Sequence, residues 1–256
     1  MRTLSKIKIF ISVLLLGICS SSLAYSFDTK ARAAYVIDQT SGTILLSKNA
    51  DLPLPPASMS KLMTLYMTFE FIKAGRLGLD EKLPVSVNAA NYTGSTMFLD
   101  PTDRVAVIDL IRGIIVLSGN DACAVLAEAL SPDGTEAGFA KLMTKRAKQL
   151  GLKNSTFKNS NGWPASGHQM SVRDLGLLAE KIIIDFPEYY PMFAEQIYEF
   201  DGRAPANIRN RNPLLGLGIG ADGLKTGHTE EAGYGLVGSA KQDGRRIIFV
   251  LSGLDS

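Results

Sequence analysis

Three short segments of this 256-residue chain carry residue types that can transfer an acyl group: Ser58 with Lys61 in PPASMSK, Ser118 with Asn120 in LSGN, and Lys225 with Thr226 in LKTG. A serine hydroxyl is a weak nucleophile until a base takes its proton, and a lysine serves as that base only while its amine is uncharged. Residues three apart on a helix lie on one face with Cβ atoms about 5 to 6 Å apart, so Lys61 reaches Ser58 if a helix begins there. Apolar surroundings would penalise the ammonium and draw its pKa toward the range of a general base. Amide groups at the helix start could also stabilise a developing oxyanion. Taken alone, the pair reads more simply as a helix-capping serine followed by a lysine whose stem lies along apolar surface.

No single segment decides between these readings. Ser-x-x-Lys occurs three times, at Ser5 with Lys8, Ser58 with Lys61, and Ser155 with Lys158, and Ser86-Val87-Asn88 repeats the Ser-x-Asn pattern of Ser118-Gly119-Asn120. Only Ser58 stands at the head of a long apolar run. Ser118-Gly119-Asn120 follows 60 residues later at a turn between two helical stretches, and Lys225-Thr226-Gly227 follows 107 beyond that on a strand-like stretch. Order, separation and setting carry the signal.

The elements that must position these residues are legible from periodicity. Ala33 to Asp38 and Thr43 to Lys48, joined across Gln39-Thr40-Ser41-Gly42, read as an antiparallel hairpin. Met59 to Ile72 is apolar almost all round, the mark of a helix in the interior. Asp103 to Leu117, Asp121 to about Leu130, residues 136–150 and Ser171 to Ile184 have helical spacing, the last behind the capping pair Ser171 and Asp174. Strand patterns follow at Gln196 to Phe200, Leu224 to His228, Tyr234 to Lys241 and Arg246 to Ser252. Hairpin, helices, then strands predict an α+β fold: one antiparallel sheet built from both chain ends, flanked by helices, with a helical region inserted.

Composition excludes several classes. Arg2, Lys6 and Lys8 precede the apolar run Ile9 to Ile18 and the small residues Ser22 and Ala24, the pattern of an export signal over residues 1–24. That run is about half the ~20 residues a spanning helix needs, and bulky Ile18 before Cys19 disfavours lipoprotein processing. Removing the signal deletes three basic and no acidic residues and turns a formal charge of +2 into −1, which leaves no basic surplus for nucleic acid. Only Cys123 then remains, so no internal disulfide forms, and it reads as a buried packing residue. Two histidines and no His-Glu-x-x-His argue against a catalytic metal, and no cofactor is expected.

With PPASMSKLMT, LSGNDAC, FKNSNGW, SVRDLGLLAEKI, NRNPLL and DGLKTGHTEEAGYGLVGSA all in place, the chain from about Ala31 onward resembles the low-molecular-mass penicillin-binding proteins, serine-type D-alanyl-D-alanine carboxypeptidases. The resemblance implies the penicillin-binding protein and β-lactamase-like fold. It implies that Ser58 attacks the D-Ala-D-Ala bond of a peptidoglycan stem peptide, with Lys61 accepting its proton, and that β-lactam antibiotics acylate the same serine. By the same likeness Ser118 relays a proton to the leaving D-alanine and Asn120 holds the substrate amide. Lys225, Thr226 and Gly227 belong to the carboxylate-binding strand, with Arg211 adding attraction. Backbone amides of Ser58 and His228 would form the oxyanion hole. The location implied is the periplasm; family members often add, beyond the region present in this chain, a C-terminal tail that anchors them to the inner membrane.

Three other readings compete. Class A β-lactamases resemble this pattern but add a glutamate, in a Glu-x-x-Leu-Asn loop, that activates the deacylating water; residues 151–163 hold no glutamate, so a penicilloyl enzyme should persist. Gly218 to Thr226 nearly spells a phosphate-binding loop, but Leu224 adds a residue before Lys225 and the following stretch reads as strand. A catalytically silent penicillin sensor would be expected to show a degraded motif, and none is. The chain departs from the family in having Gly162-Trp163 where Gly-Leu is usual. It also stops at VLSGLDS, where family members continue into a covering helix and often a β-rich domain. The expectation is therefore a catalytic domain over 25–256, lacking its last helix, with part of one sheet face exposed.

Overall fold

The computed structural model describes residues 28–203 and 207–255. The export signal expected over residues 1–24 lies outside them. Strands β1 (Ala33–Asp38), β2 (Thr43–Lys48), β5 (Ala221–Thr229), β6 (Gly233–Gln242) and β7 (Arg245–Leu254) form one antiparallel sheet in the order β2-β1-β7-β6-β5. The two chain ends thus meet along the β1–β7 pairing, from Ala33 against Ser252 to Asp38 against Ile247. Between them come helix α1 (Lys61–Lys73), the short pair β3 (Lys82–Pro84) and β4 (Arg104–Ala106), and helices α2 (Val87–Ala90), α3 (Val107–Arg112), α4 (Asn120–Leu130), α5 (Glu136–Gln149) and α6 (Val172–Asp185).

Helix α6 lies on the sheet against β1 and β7. Its approach is close because Gly176 faces Tyr35, where a Cβ would stand 2.8 Å from the ring. Helix α1 runs through the interior with every residue from Lys61 to Phe69 buried, as its all-round apolar pattern predicts. Ser171 caps α6 as read, accepting from Asp174 N, and Thr135 caps α5 in the same way by accepting from Gly138 N.

Three expectations are corrected. The helix expected from Met59 begins as a 3₁₀ turn over Ala57–Ser60 and becomes α-helical only at Lys61, so Ser58 sits on the turn before the helix. The helix expected over Asp103 to Leu117 is β4, α3 and a π-helical turn over Gly113–Leu117, because the segment must both pair with β3 and deliver Ser118 in a left-handed conformation. Gln196 to Phe200 joins no sheet; Tyr198 N donates to Ile208 O and Asn210 N to Gln196 O, so this stretch pairs locally with the strap that follows.

Candidate active site

The turn that carries Ser58 is held open by Ala57 at φ 47°, a left-handed conformation uncommon for a residue with a Cβ. It ends where α1 begins, which leaves Ser58 half-buried and Lys61 fully buried one turn on. Two glycines let other segments reach this turn. A Cβ on Gly227 of β5 would stand 3.0 Å from Pro56 O and 3.1 Å from Met59 N, so the strand passes against the backbone beside Ser58. Gly162, at φ 85°, is tighter still, with its missing Cβ 1.9 Å from Ala57 O. Gly162→Ala is therefore expected to cost at least about 2 kcal/mol of stability and to slow any chemistry at Ser58, as denaturant unfolding and active-site labelling of the purified variant would show.

Lys61 Nζ has three partners: Ser58 Oγ at 2.8 Å, Asn120 Oδ1 at 2.7 Å and the main-chain oxygen of Asn161 at 2.7 Å. The two carbonyl-type oxygens can only accept. When Lys61 gives up a proton, its two remaining N–H groups stay with Asn120 and Asn161, and its lone pair is left facing the Ser58 hydroxyl. Burial lowers its pKa from the ordinary lysine range to about 8, with Arg211 adding to the effect and Cys123, Asp121 and Glu136 opposing it.

Ser118 occupies the residue after the π-helical turn at φ 63° and is almost fully buried. Lys225 Nζ donates to its Oγ at 3.0 Å and to Thr226 O at 3.1 Å. Lys225 is itself buried on β5, and burial, together with Lys61 and Arg211, holds its pKa well below the usual value. Three cationic groups thus converge on a single cleft and destabilise one another's charge. An anionic ligand group would relieve them.

The cleft is a cavity of about 510 Å³ lined by Ser58, Ser118, Arg211, Thr226, Gly227 and His228. Arg211 reaches in from the strap, donating to Ser95 Oγ at 2.9 Å and to Leu117 O at 2.8 Å. His228 is exposed, with its ring stacked on Tyr234 at 4.0 Å between centroids. Asn120 differs in emphasis from its expected part: Oδ1 takes a bond from Lys61 and Nδ2 donates to Thr93 O at 2.8 Å, so one Nδ2 hydrogen remains for a substrate amide. All nine residues singled out from the sequence therefore lie in or against one cleft.

The decoy motifs within the described residues have structural explanations, and Ser5 with Lys8 lies outside those residues. Ser155 Oγ donates to Asp174, and Ser86 caps α2 by accepting from Ala89 N. Lys225 lies within β5, not at the start of a helix, which removes the phosphate-loop reading. Trp163 is 45% exposed and rests against Gly94 beside Asn120, a rim position. Sequence reasoning missed Asn161 and Glu136. The first acts through a main-chain oxygen, which leaves no side-chain signature. The second reads only as the opening residue of α5, yet it accepts from both the backbone amide and the hydroxyl of Ser160.

This fold is that of the penicillin-binding proteins. Penicillin binding protein 5 from Haemophilus influenzae matches with a TM-score of 0.85 at 36% identity over 90% of this chain and 67% of that one. Penicillin-Binding Protein D2 from Listeria monocytogenes in the ampicillin-bound form matches with a TM-score of 0.79 at 33% identity, over 90% of this chain and 92% of that one. D-alanyl-D-alanine carboxypeptidase DacC from Escherichia coli is 41% identical over 231 residues, 87% of this chain and 56% of its own length. The chain thus spans little more than half of that curated relative. The model of the peptidase S11 family, D-alanyl-D-alanine carboxypeptidase, matches residues 20–256, and the chain belongs to this family.

Proposed function

We propose that this chain is a serine-type D-Ala-D-Ala carboxypeptidase that removes the terminal D-alanine from peptidoglycan stem peptides and is trapped by β-lactams. The observation that carries the reading is the set of three bonds at Lys61, which leaves an uncharged amine only one hydroxyl to act on. Ser58 Oγ attacks the carbonyl carbon between the two D-alanines as its proton passes to Lys61. The oxyanion forms against the Ser58 and His228 amides, a contribution of about 3 kcal/mol per donor. Collapse breaks the C–N bond, and Ser118, its hydroxyl held by Lys225, relays to the leaving amine the proton that Lys61 took from Ser58. Lys225, Thr226, Gly227 and Arg211 form the cationic end of the cleft that takes the substrate carboxylate, and the remaining Asn120 Nδ2 hydrogen takes the amide. Water then hydrolyses the acyl-enzyme.

The same reading makes the acylation rate depend on uncharged Lys61. Its pKa of about 8 lies below the ordinary value, so the amine is charged at lower pH and the rate should fall about tenfold per pH unit there, levelling off above it. Rate constants for labelling by a fluorescent penicillin across pH check this. A flat profile would remove Lys61 as the base.

Deacylation of a penicilloyl enzyme should be slow. Glu136, the glutamate hydrogen-bonded to the 159–163 segment, already accepts from Ser160 N, Ser160 Oγ and the Tyr92 hydroxyl, so it is not free to activate a water. Export to the periplasm is supported by the pattern over residues 1–24, and tethering by a C-terminal tail by the family resemblance; among the described residues no helix is long and apolar enough to cross a membrane. The decisive assay offers the chain a peptide ending in D-Ala-D-Ala and measures free D-alanine. Release that is blocked by penicillin supports the proposal, and rapid turnover of penicillin without D-alanine release would replace it with a β-lactamase.

A further inference from the structure

The Asn161 oxygen that holds Lys61 belongs to a segment clamped from two sides. Its own side chains make local turns: Asn159 Oδ1 accepts from Gly162 N at 2.8 Å, and Asn161 Oδ1 accepts from Trp163 N at 2.8 Å. Helix α1 supplies one outer clamp, because Lys61 and Thr64 share a face and donate to the consecutive carbonyls of Asn161 and Ser160. The other clamp comes from outside the recognised motifs. Glu136 Oε1 accepts from Ser160 N at 2.9 Å and from Ser160 Oγ, while the Tyr92 hydroxyl donates to Oε2. Ser160 is fully buried, so its amide and hydroxyl have no water to turn to if the carboxylate leaves.

We propose that Glu136 is a positioning residue for acylation: anchored by Tyr92, it holds Ser160 by backbone and side chain and so fixes the neighbouring Asn161 carbonyl at which Lys61 docks. The proposal rests on the assignment of Ser58 and Lys61 made above. It predicts two separable effects. Loosening the segment moves one of the two acceptors that orient the amine, and a misplacement of about 1 Å at a reacting group can cost on the order of 100-fold in rate. Removing the charge also alters the field at Lys61.

The groups that bear on Lys61 are Asp121 and Cys123 of α4, Lys225 of β5, Arg211, His168 and Glu136. Burial pushes the Cys123 thiol up to about 12 and the His168 imidazole down to about 4, so both are neutral near pH 7. Glu136 and Asp121 are then the groups that favour the ammonium, against Lys225 and Arg211. Without the Glu136 charge, Lys61 gives up its proton more easily, and the acid limb of acylation moves to lower pH.

The test compares the whole chain with Glu136→Gln and Tyr92→Phe, following labelling by a fluorescent penicillin across pH alongside thermal unfolding. Glu136→Gln keeps an acceptor for Ser160 but loses the charge; its plateau rate is expected to fall about tenfold and its acid limb to shift to lower pH. Tyr92→Phe keeps the charge and loosens the carboxylate; its plateau should fall about threefold with no downward shift of the limb. Wild-type plateau and limb in Glu136→Gln, or a lowered melting temperature with the limb unmoved, overturns the proposal. If Glu136→Gln cannot be purified folded, Tyr92→Phe decides, and a wild-type plateau there overturns it. A wild-type chain that takes no label rejects the assignment of Ser58 and Lys61 instead.

Discussion

Ser58→Ala is expected to abolish penicillin labelling and D-alanine release together, a loss on the order of 10⁶-fold, the scale for deleting a serine nucleophile. The change removes one oxygen from a half-buried position on the Ala57–Ser60 turn and touches no packing contact deeper in the core. Lys61 keeps Asn120 and Asn161 as partners. Stability should therefore stay within about 1 kcal/mol of the wild type, so the variant is folded and silent. Paired measurements of denaturant unfolding and of D-alanine in the supernatant check both halves. D-alanine release that survives in a folded Ser58→Ala protein would move the nucleophile elsewhere.

Lys61→Met should lower acylation on the order of 10⁴-fold, the upper end of what a positioned general base contributes. Methionine fills a similar volume and needs no solvation. It leaves Asn120 Oδ1 and Asn161 O without a donor, a cost of about 1–3 kcal/mol for each buried acceptor, offset by no longer burying a charge. Activity should thus collapse while the fold changes little. Stopped-flow labelling separates the two, and a rate within about tenfold of wild type would assign the base role to another group, with Lys225 the nearest alternative.

Much of this site is legible in the sequence. The β1–β2 hairpin has the boundaries that alternation and Gly42 predict, and Ser171 caps α6 as read, because both depend on local chemistry that side chains record directly. The three motifs converge because the turn before α1, the turn before α4 and the middle of β5 all face the same cleft. What stayed hidden depends on the backbone. The π-helical turn over Gly113–Leu117 is as apolar as the α-helix it replaces, so periodicity cannot see it, yet it sets the left-handed Ser118. Asn161 acts by its carbonyl, which every residue possesses. Glu136 matters only because α5 starts against Ser160, a tertiary juxtaposition that no spacing encodes.

The central claim is that an amine held by two fixed acceptors activates the hydroxyl at position 58 and no other. Incubation of the chain with a labelled penicillin, then proteolysis and mass spectrometry of the modified peptide, measures this most directly. The label is expected on Ser58, stable for much longer than its formation takes and absent from the Ser58→Ala protein. A label on any other residue, or none on a folded wild-type chain, would contradict the account.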